Sequence, residues 1–310
     1  MRRRLTLMAL ATAAMTMLAG CAATPAGDPA AVQVVASTNV YGSIAAAVGG
    51  DRVQVKSVID SMALDPHEFE AGAQDQLLVA RADLVIDNGG GFDPFMNGLV
   101  KASGTKATVL TAVTLSPEYS ADGAAKHDAD HALDHLADFN EHVFYDPAVM
   151  GALADRIAAA LTKIDPAGAT EFAANAKTFD AGIAAITAKL GALRAAHGGA
   201  GVFVTEPLPL YLTDAAGLAN KTPDAFSQAV EDGQDVAPAI LLQALRIVSS
   251  GQAAAVIVNA QAGGPETTQV AAEAKKDGIP VISFSELLPD GTTYLTWMTA
   301  NVQALAGALG

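Results

Sequence analysis

The chain has 310 residues, of which 51% are hydrophobic and 16% charged, and its formal net charge is −15. That length and apolar load suit two packed units better than one. The acidic balance excludes nucleic acid as a partner, because nothing here neutralises a run of phosphates; it suits a soluble protein that attracts cations, although acidity of this kind often serves solubility alone.

The first twenty residues read as an address and not as structure. Arg2, Arg3 and Arg4 precede an apolar run from Leu5 to Leu18 that is too short to span a bilayer comfortably. Leu18-Ala19-Gly20-Cys21 resembles a bacterial lipobox, which implies cleavage before Cys21 and a lipid attached to it. Losing the leader removes three arginines and no acid, so the mature chain is more acidic still. Cys21 is the only cysteine, so no intrachain disulfide forms even where the compartment permits one. Residues 21–31 are small and contain Pro and Gly, as a flexible tether would. No later segment is apolar for long enough to be a membrane span.

From residue 32 the pattern alternates. Val32 to Ala36 predicts a buried strand, and Ser37-Thr38-Asn39 offers caps for a helix over Tyr41 to Val48. Val53 to Ile59 predicts a second strand, followed by the segment Leu64-Asp65-Pro66-His67-Glu68-Phe69-Glu70. A short helix over Ala73 to Ala80, a strand over Leu84 to Ile86, a helix over Pro94 to Lys101 and a strand over Ala107 to Leu110 continue the series. Asn88-Gly89-Gly90-Gly91 is a turn; it lacks both the Lys-Ser/Thr ending of a phosphate loop and the glycine spacing of a dinucleotide fingerprint. Ser116 to Asn140 is polar and carries His127, His131 and His135 four residues apart. It is either a solvated loop or a loose cation-collecting one.

Val149 to Leu161 predicts a helix opened by Asp146-Pro147. Asp165-Pro166 opens the longest helical pattern, in which Phe172, Phe179, Ile183, Ile186, Leu190 and Leu193 form one apolar stripe that Gly198-Gly199 ends. About 30 residues at 1.5 Å each gives roughly 45 Å, enough to run down two lobes and join them. The alternation then resumes: strands over Gly201 to Val204, Ala253 to Val258 and Pro280 to Phe284, and helices over Leu208 to Thr213, Asp235 to Ser249, Pro265 to Lys276 and Tyr294 to Leu309. Trp297 belongs to the core. The fold expected is α/β: two doubly wound lobes with mainly parallel sheets, residues 32–164 and 199–310, joined by one rigid helix over 165–198.

Four short segments place one potential metal ligand each at the end of an apolar run or before a helix start: His67, His142, Glu206 and Glu286. Two imidazoles and two carboxylates brought together would enclose one divalent transition metal in the cleft between the lobes. Three of the four have a blander reading. His142, beside Val143-Phe144-Tyr145, suits a hydrogen-bonded core histidine. Glu206 and Glu286 suit surface acids at strand ends, and Asp290 competes with Glu286.

From Cys21 to Gly310 the chain resembles the metal-binding solute-binding lipoproteins of bacterial ABC transporters, the zinc/manganese class. The likeness is carried by Asp65-Pro66-His67-Glu68-Phe69-Glu70, Ala82-Asp83-Leu84-Val85-Ile86-Asp87-Asn88-Gly89, the His142 to Pro147 segment and the long helix after Asp165-Pro166. By position it implies His67 and His142 as the first two ligands and Glu206 as the third, which is His or Glu in the family. Glu286 falls where the family usually has Asp. The short histidine-rich run His127 to His135 resembles zinc members, whereas Glu at the third position resembles manganese members; zinc is favoured, with manganese next.

The resemblance implies a binding protein and not an enzyme: lipid-anchored on the outer face of the cytoplasmic membrane, monomeric, delivering its cation to a cognate permease and ATPase. Affinity should fall as histidine protonates near about pH 6. Two rivals are a surface adhesin or structural lipoprotein with a stabilising metal, and a lipid-anchored zinc hydrolase with Glu68 as base. The hydrolase needs an open coordination position that four protein ligands would fill.

Overall fold

The computed structural model describes residues 31–119 and 139–310. Cys21, the leader, His127, His131 and His135 lie outside them. The first half runs β1 (Val32–Thr38), α1 (Asn39–Gly49), β2 (Val53–Ile59), α2 (Ala73–Ala80), β3 (Leu84–Asp87), α3 (Phe95–Ser103), β4 (Thr108–Thr111) and α4 (Pro147–Ile164). The long helix α5 (Ala169–His197) follows a single 3-10 turn, Pro166–Gly168. The second half runs β5 (Gly201–Val204), α6 (Leu210–Ala215), β6 (Ala219–Asn220), α7 (Asp224–Glu231), α8 (Pro238–Ser249), β7 (Ala255–Asn259), α9 (Pro265–Lys276), β8 (Val281–Phe284) and α10 (Tyr294–Leu309).

The strands form two four-stranded parallel sheets in the orders β2-β1-β3-β4 and β6-β5-β7-β8. In each, the first strand of the half lies inside the sheet, the doubly wound arrangement in which loops at the strand C-termini meet at a crevice. The inner strands β1, β3, β5 and β7 are apolar on both faces because both are covered. Val34 and Ala36 face one core and Val35 another; in the second sheet Val202 and Val204 face the first core and Phe203 faces a third.

The largest core is shared by the two halves. It contains β1, β3, β5 and β7 residues and the stripe of α5, namely Phe172, Ala176, Phe179, Ile183, Ile186, Leu190 and Leu193, all buried. The long helix is therefore a wall of common core as well as a connector, and Val32–Gly310 forms one compact unit. Trp297 is 4% exposed within that core. Among the described residues no helix is long and apolar enough to cross a membrane.

Several elements shift by a few residues from the expected bounds, and strand β6 was not expected; two further departures have identifiable reasons. Helix α8 starts at Pro238, not Asp235, because a residue before proline is held out of the α region and Ala237 is extended (φ −54°, ψ 136°). Helix α7 falls in Asp214–Gln234, where no element was anticipated. Pro223 precedes it, Asp224 stands in its first turn, and only Phe226 and Val230 are buried, too short an apolar stripe to stand out.

Candidate metal centre

The residues of the centre sit in turns or beside element ends. His67 lies in the turn after β2, its backbone N–H donating to Asp65 Oδ1 at 2.8 Å, an Asx turn that sets the ring toward the crevice. His142 is fully buried at the start of a 3-10 turn, Val143–Tyr145. Its Nδ1 is 2.8 Å from Asn140 Oδ1, and its backbone N–H donates to the same oxygen at 3.1 Å. Asn140 is oriented in turn by its Nδ2, which donates to Pro207 O at 3.0 Å. An amide oxygen can only accept, so Nδ1 of His142 carries the proton and Nε2 presents its lone pair to the crevice.

Glu206 and Glu286 follow β5 and β8 and are each 2% exposed. One donor joins them: Asn259 Nδ2, at the end of β7, lies 2.6 Å from Glu206 Oε2 and 2.7 Å from Glu286 Oε1. The amide of Asn259 is fixed because its Oδ1 accepts from Gln261 N–H at 3.0 Å. The second oxygens, Glu206 Oε1 and Glu286 Oε2, are buried and make no hydrogen bond. Gln261 completes the frame, accepting from Glu286 N–H at 2.6 Å and donating to Leu64 O at 3.3 Å beside the His67 turn.

Ligand-type atoms of His67, His142 and Glu286 all lie within 4.8 Å of one another, and Asn259 brings Glu206 to the same crevice. Asp290 is exposed in a turn beyond Glu286. A further carboxylate, Glu231 at the end of α7, reaches the imidazoles. Its Oε1 is 3.4 Å from His142 Nε2 and 3.8 Å from His67 Nε2. The sequence reading did not anticipate it.

Aromatic rings support the imidazoles. Phe92 meets His67 edge-on with centroids 5.1 Å apart and His142 at 5.8 Å, and Phe144 flanks His142 at 5.7 Å. The glycine turn runs beneath them. Gly89, Gly90 and Gly91 have φ of 75°, 70° and 104°, and a Cβ on Gly90 would lie 3.3 Å from Glu141 Cβ and 3.1 Å from Val113 Cγ1. The triple glycine thus lets the Glu141–His142 segment pass close above.

The model of the family described as "ZnuA: Zinc-uptake complex component A periplasmic" matches residues 34–308. The chain belongs to this family. ZnuA-family proteins are periplasmic metal-binding components of ABC importers. Solved structures share the fold. The crystal structure of ZnuA superposes with a TM-score of 0.70 at 20% identity, covering 90% of this chain and 100% of that one. The SBP FpvC from P. aeruginosa, in complex with Ni2+, gives 0.70 at 20% identity over 90% and 97%. The periplasmic zinc binding protein TroA from Treponema pallidum gives 0.70 at 17% identity over 90% and 99%.

The electrostatics of this ZnuA-family crevice favour a cation strongly. It opens into a cleft of about 960 Å³ whose described lining residues include Asp65, Glu68, Glu266 and Asp235 and no lysine or arginine. Burial pushes the Glu206 carboxyl up to about 7, against the opposing hydrogen bond from Asn259 and with a further push from Asp65. Burial pushes Glu286 up to about 8, reinforced by Asp65, Glu206 and Glu141. Glu231 is raised well above the usual carboxylate range, first by burial and then by Glu141, Glu206 and Glu286. Carboxylates crowded together out of water cannot all ionise without a positive charge among them. Imidazole and carboxylate donors are what a divalent transition metal accepts.

Proposed function

We propose that this chain captures a divalent transition metal outside the cytoplasmic membrane, through His67, His142, Glu206 and Glu286, and delivers it to a cognate permease and ATPase. Lipid on Cys21 would hold it, as a monomer, at the outer face of the cytoplasmic membrane. The observation that carries the reading is the convergence of two imidazoles and Glu286 within 4.8 Å, with Glu206 tied to Glu286 through one amide. Zinc is the favoured cargo and manganese the next, because zinc stands above manganese in intrinsic affinity for nearly any nitrogen and oxygen donor set. Family membership lends the adhesin and hydrolase alternatives no support.

The test is metal analysis of protein purified without chelators, followed by competition between zinc and manganese. One equivalent of metal per chain is expected, with zinc displacing manganese. His67→Ala should abolish stoichiometric binding; full binding by that variant would refute the assignment.

A further inference from the structure

We propose that Glu231 is a fifth ligand to the captured cation, delivered from α7. The inference rests on the capture reading above and extends it from four donors to five.

The placement of Glu231 is built, not incidental. Phe226 and Val230 of α7, four residues apart, are buried in the core beneath the second sheet, with Phe226 edge-on to Phe203 at 5.3 Å. That anchoring fixes the last turn of α7 and turns the side chain of Glu231 inward, leaving it 8% exposed. Immediately afterwards Asp232 N–H closes on Gln228 O at 2.9 Å and Gly233 takes φ of 63°, which ends the helix. Glu231 therefore stands at the C-terminal end of a helix. The partial negative charge there disfavours an anion, and Glu206 and Glu286 line the same cleft. An ionised carboxylate at that position therefore calls for a cation beside it.

The distances suit shared coordination better than an ion pair. A charge-assisted hydrogen bond between imidazolium and carboxylate is about 2.7–2.9 Å long. The 3.4 Å and 3.8 Å separations of Glu231 Oε1 from the two Nε2 atoms are longer. Two donors each about 2.1 Å from one metal stand roughly 3.0–3.8 Å apart at angles between about 90° and 130°. The buried oxygens Glu206 Oε1 and Glu286 Oε2 make no hydrogen bond and belong to residues that line the same cleft, so they are the carboxylate donors left for the cation. The resulting set is two imidazoles and three carboxylates, richer in oxygen and higher in coordination number than a closed tetrahedral zinc site.

Cobalt(II) tests this, because its visible bands are weak in five- or six-coordinate sites and intense in four-coordinate ones. Full-length protein is stripped of metal and titrated with Co2+ as wild type, Glu231→Gln, Glu231→Asp and, as an exposed acid of equal charge outside the cleft lining, Asp277→Asn. Weak bands are expected for wild type and Asp277→Asn. Glu231→Gln should give several-fold stronger bands and bind at least tenfold more weakly. Glu231→Asp, with its carboxyl withdrawn by one methylene, keeps the acid and should behave in the same way. It serves if Glu231→Gln fails to fold. Bands unchanged by loss of Glu231 would overturn the proposal alone; a wild type that takes up no Co2+ would overturn the capture reading and this one with it.

Discussion

Asn140 Oδ1 accepts from both the ring Nδ1 and the backbone N–H of His142, at 2.8 and 3.1 Å, while its Nδ2 donates across to Pro207 O, the residue after Glu206. One side chain thus sets the tautomer of an imidazole from the first half and holds it against a strand end of the second. Asn140→Ala is expected to weaken metal binding by roughly 10–100-fold, the range for losing the hydrogen bond behind a ligating histidine. Isothermal titration checks it, and an unchanged affinity would show that His142 needs no orienting partner.

Stability of the metal-free protein should decline as pH rises. Glu206 and Glu286 carry folded values of about 7 and about 8, above the ordinary 4.5. Between about pH 4.5 and 8 the folded chain holds protons that the unfolded chain releases, so raising pH favours unfolding. The contribution is fully present below about pH 4.5 and gone above about pH 8. A bound cation replaces those protons. The rise in Tm on adding metal should therefore be larger at about pH 8 than at about pH 5.5, with proton release on binding. Differential scanning calorimetry with and without metal decides; a metal-free Tm that climbs over this range would contradict it.

Gly90→Ala should destabilise the fold by more than about 1 kcal/mol, because it combines a positive φ with a Cβ pressed against the His142 segment. Affinity should fall with it, since Glu141 Cβ is one of the atoms displaced. Chemical denaturation measures the first effect and titration the second.

Tyr145→Phe should cost about 1–2 kcal/mol. The lost hydroxyl donates to Ser285 O at 2.8 Å and accepts from Ser285 N–H at 3.2 Å, immediately before Glu286. Thermal unfolding should show the loss, and a midpoint equal to that of wild type would mean that this cross-link between halves carries no weight.

Much of the fold was legible because its signals are periodic. The stripe of α5 and the short apolar strands announce themselves by spacing, and Asp-Pro pairs mark the starts of α4 and of the turn before α5. The candidate residues His67, His142, Glu206 and Glu286 were legible because parallel strands end where ligands are held, so each stood at a strand end or a capped turn. Glu231 was not. It lies on an eight-residue helix with two buried positions, and nothing in the order of residues says that its last side chain turns inward. Asn259 and Asn140 were equally hidden, since an amide that joins two acids or orients an imidazole has no local pattern of its own.

The core shared by β1, β3, β5, β7 and α5 has a consequence for engineering. Halves of this protein and of a relative should not be interchangeable as modules cut at Asp165. The first half would arrive with its inner sheet face shaped to a helix it no longer meets, and α5, carried by the second half, would face a surface it does not fit. A working chimaera would have to exchange the inward side chains of α5 together with both of the surfaces they fill.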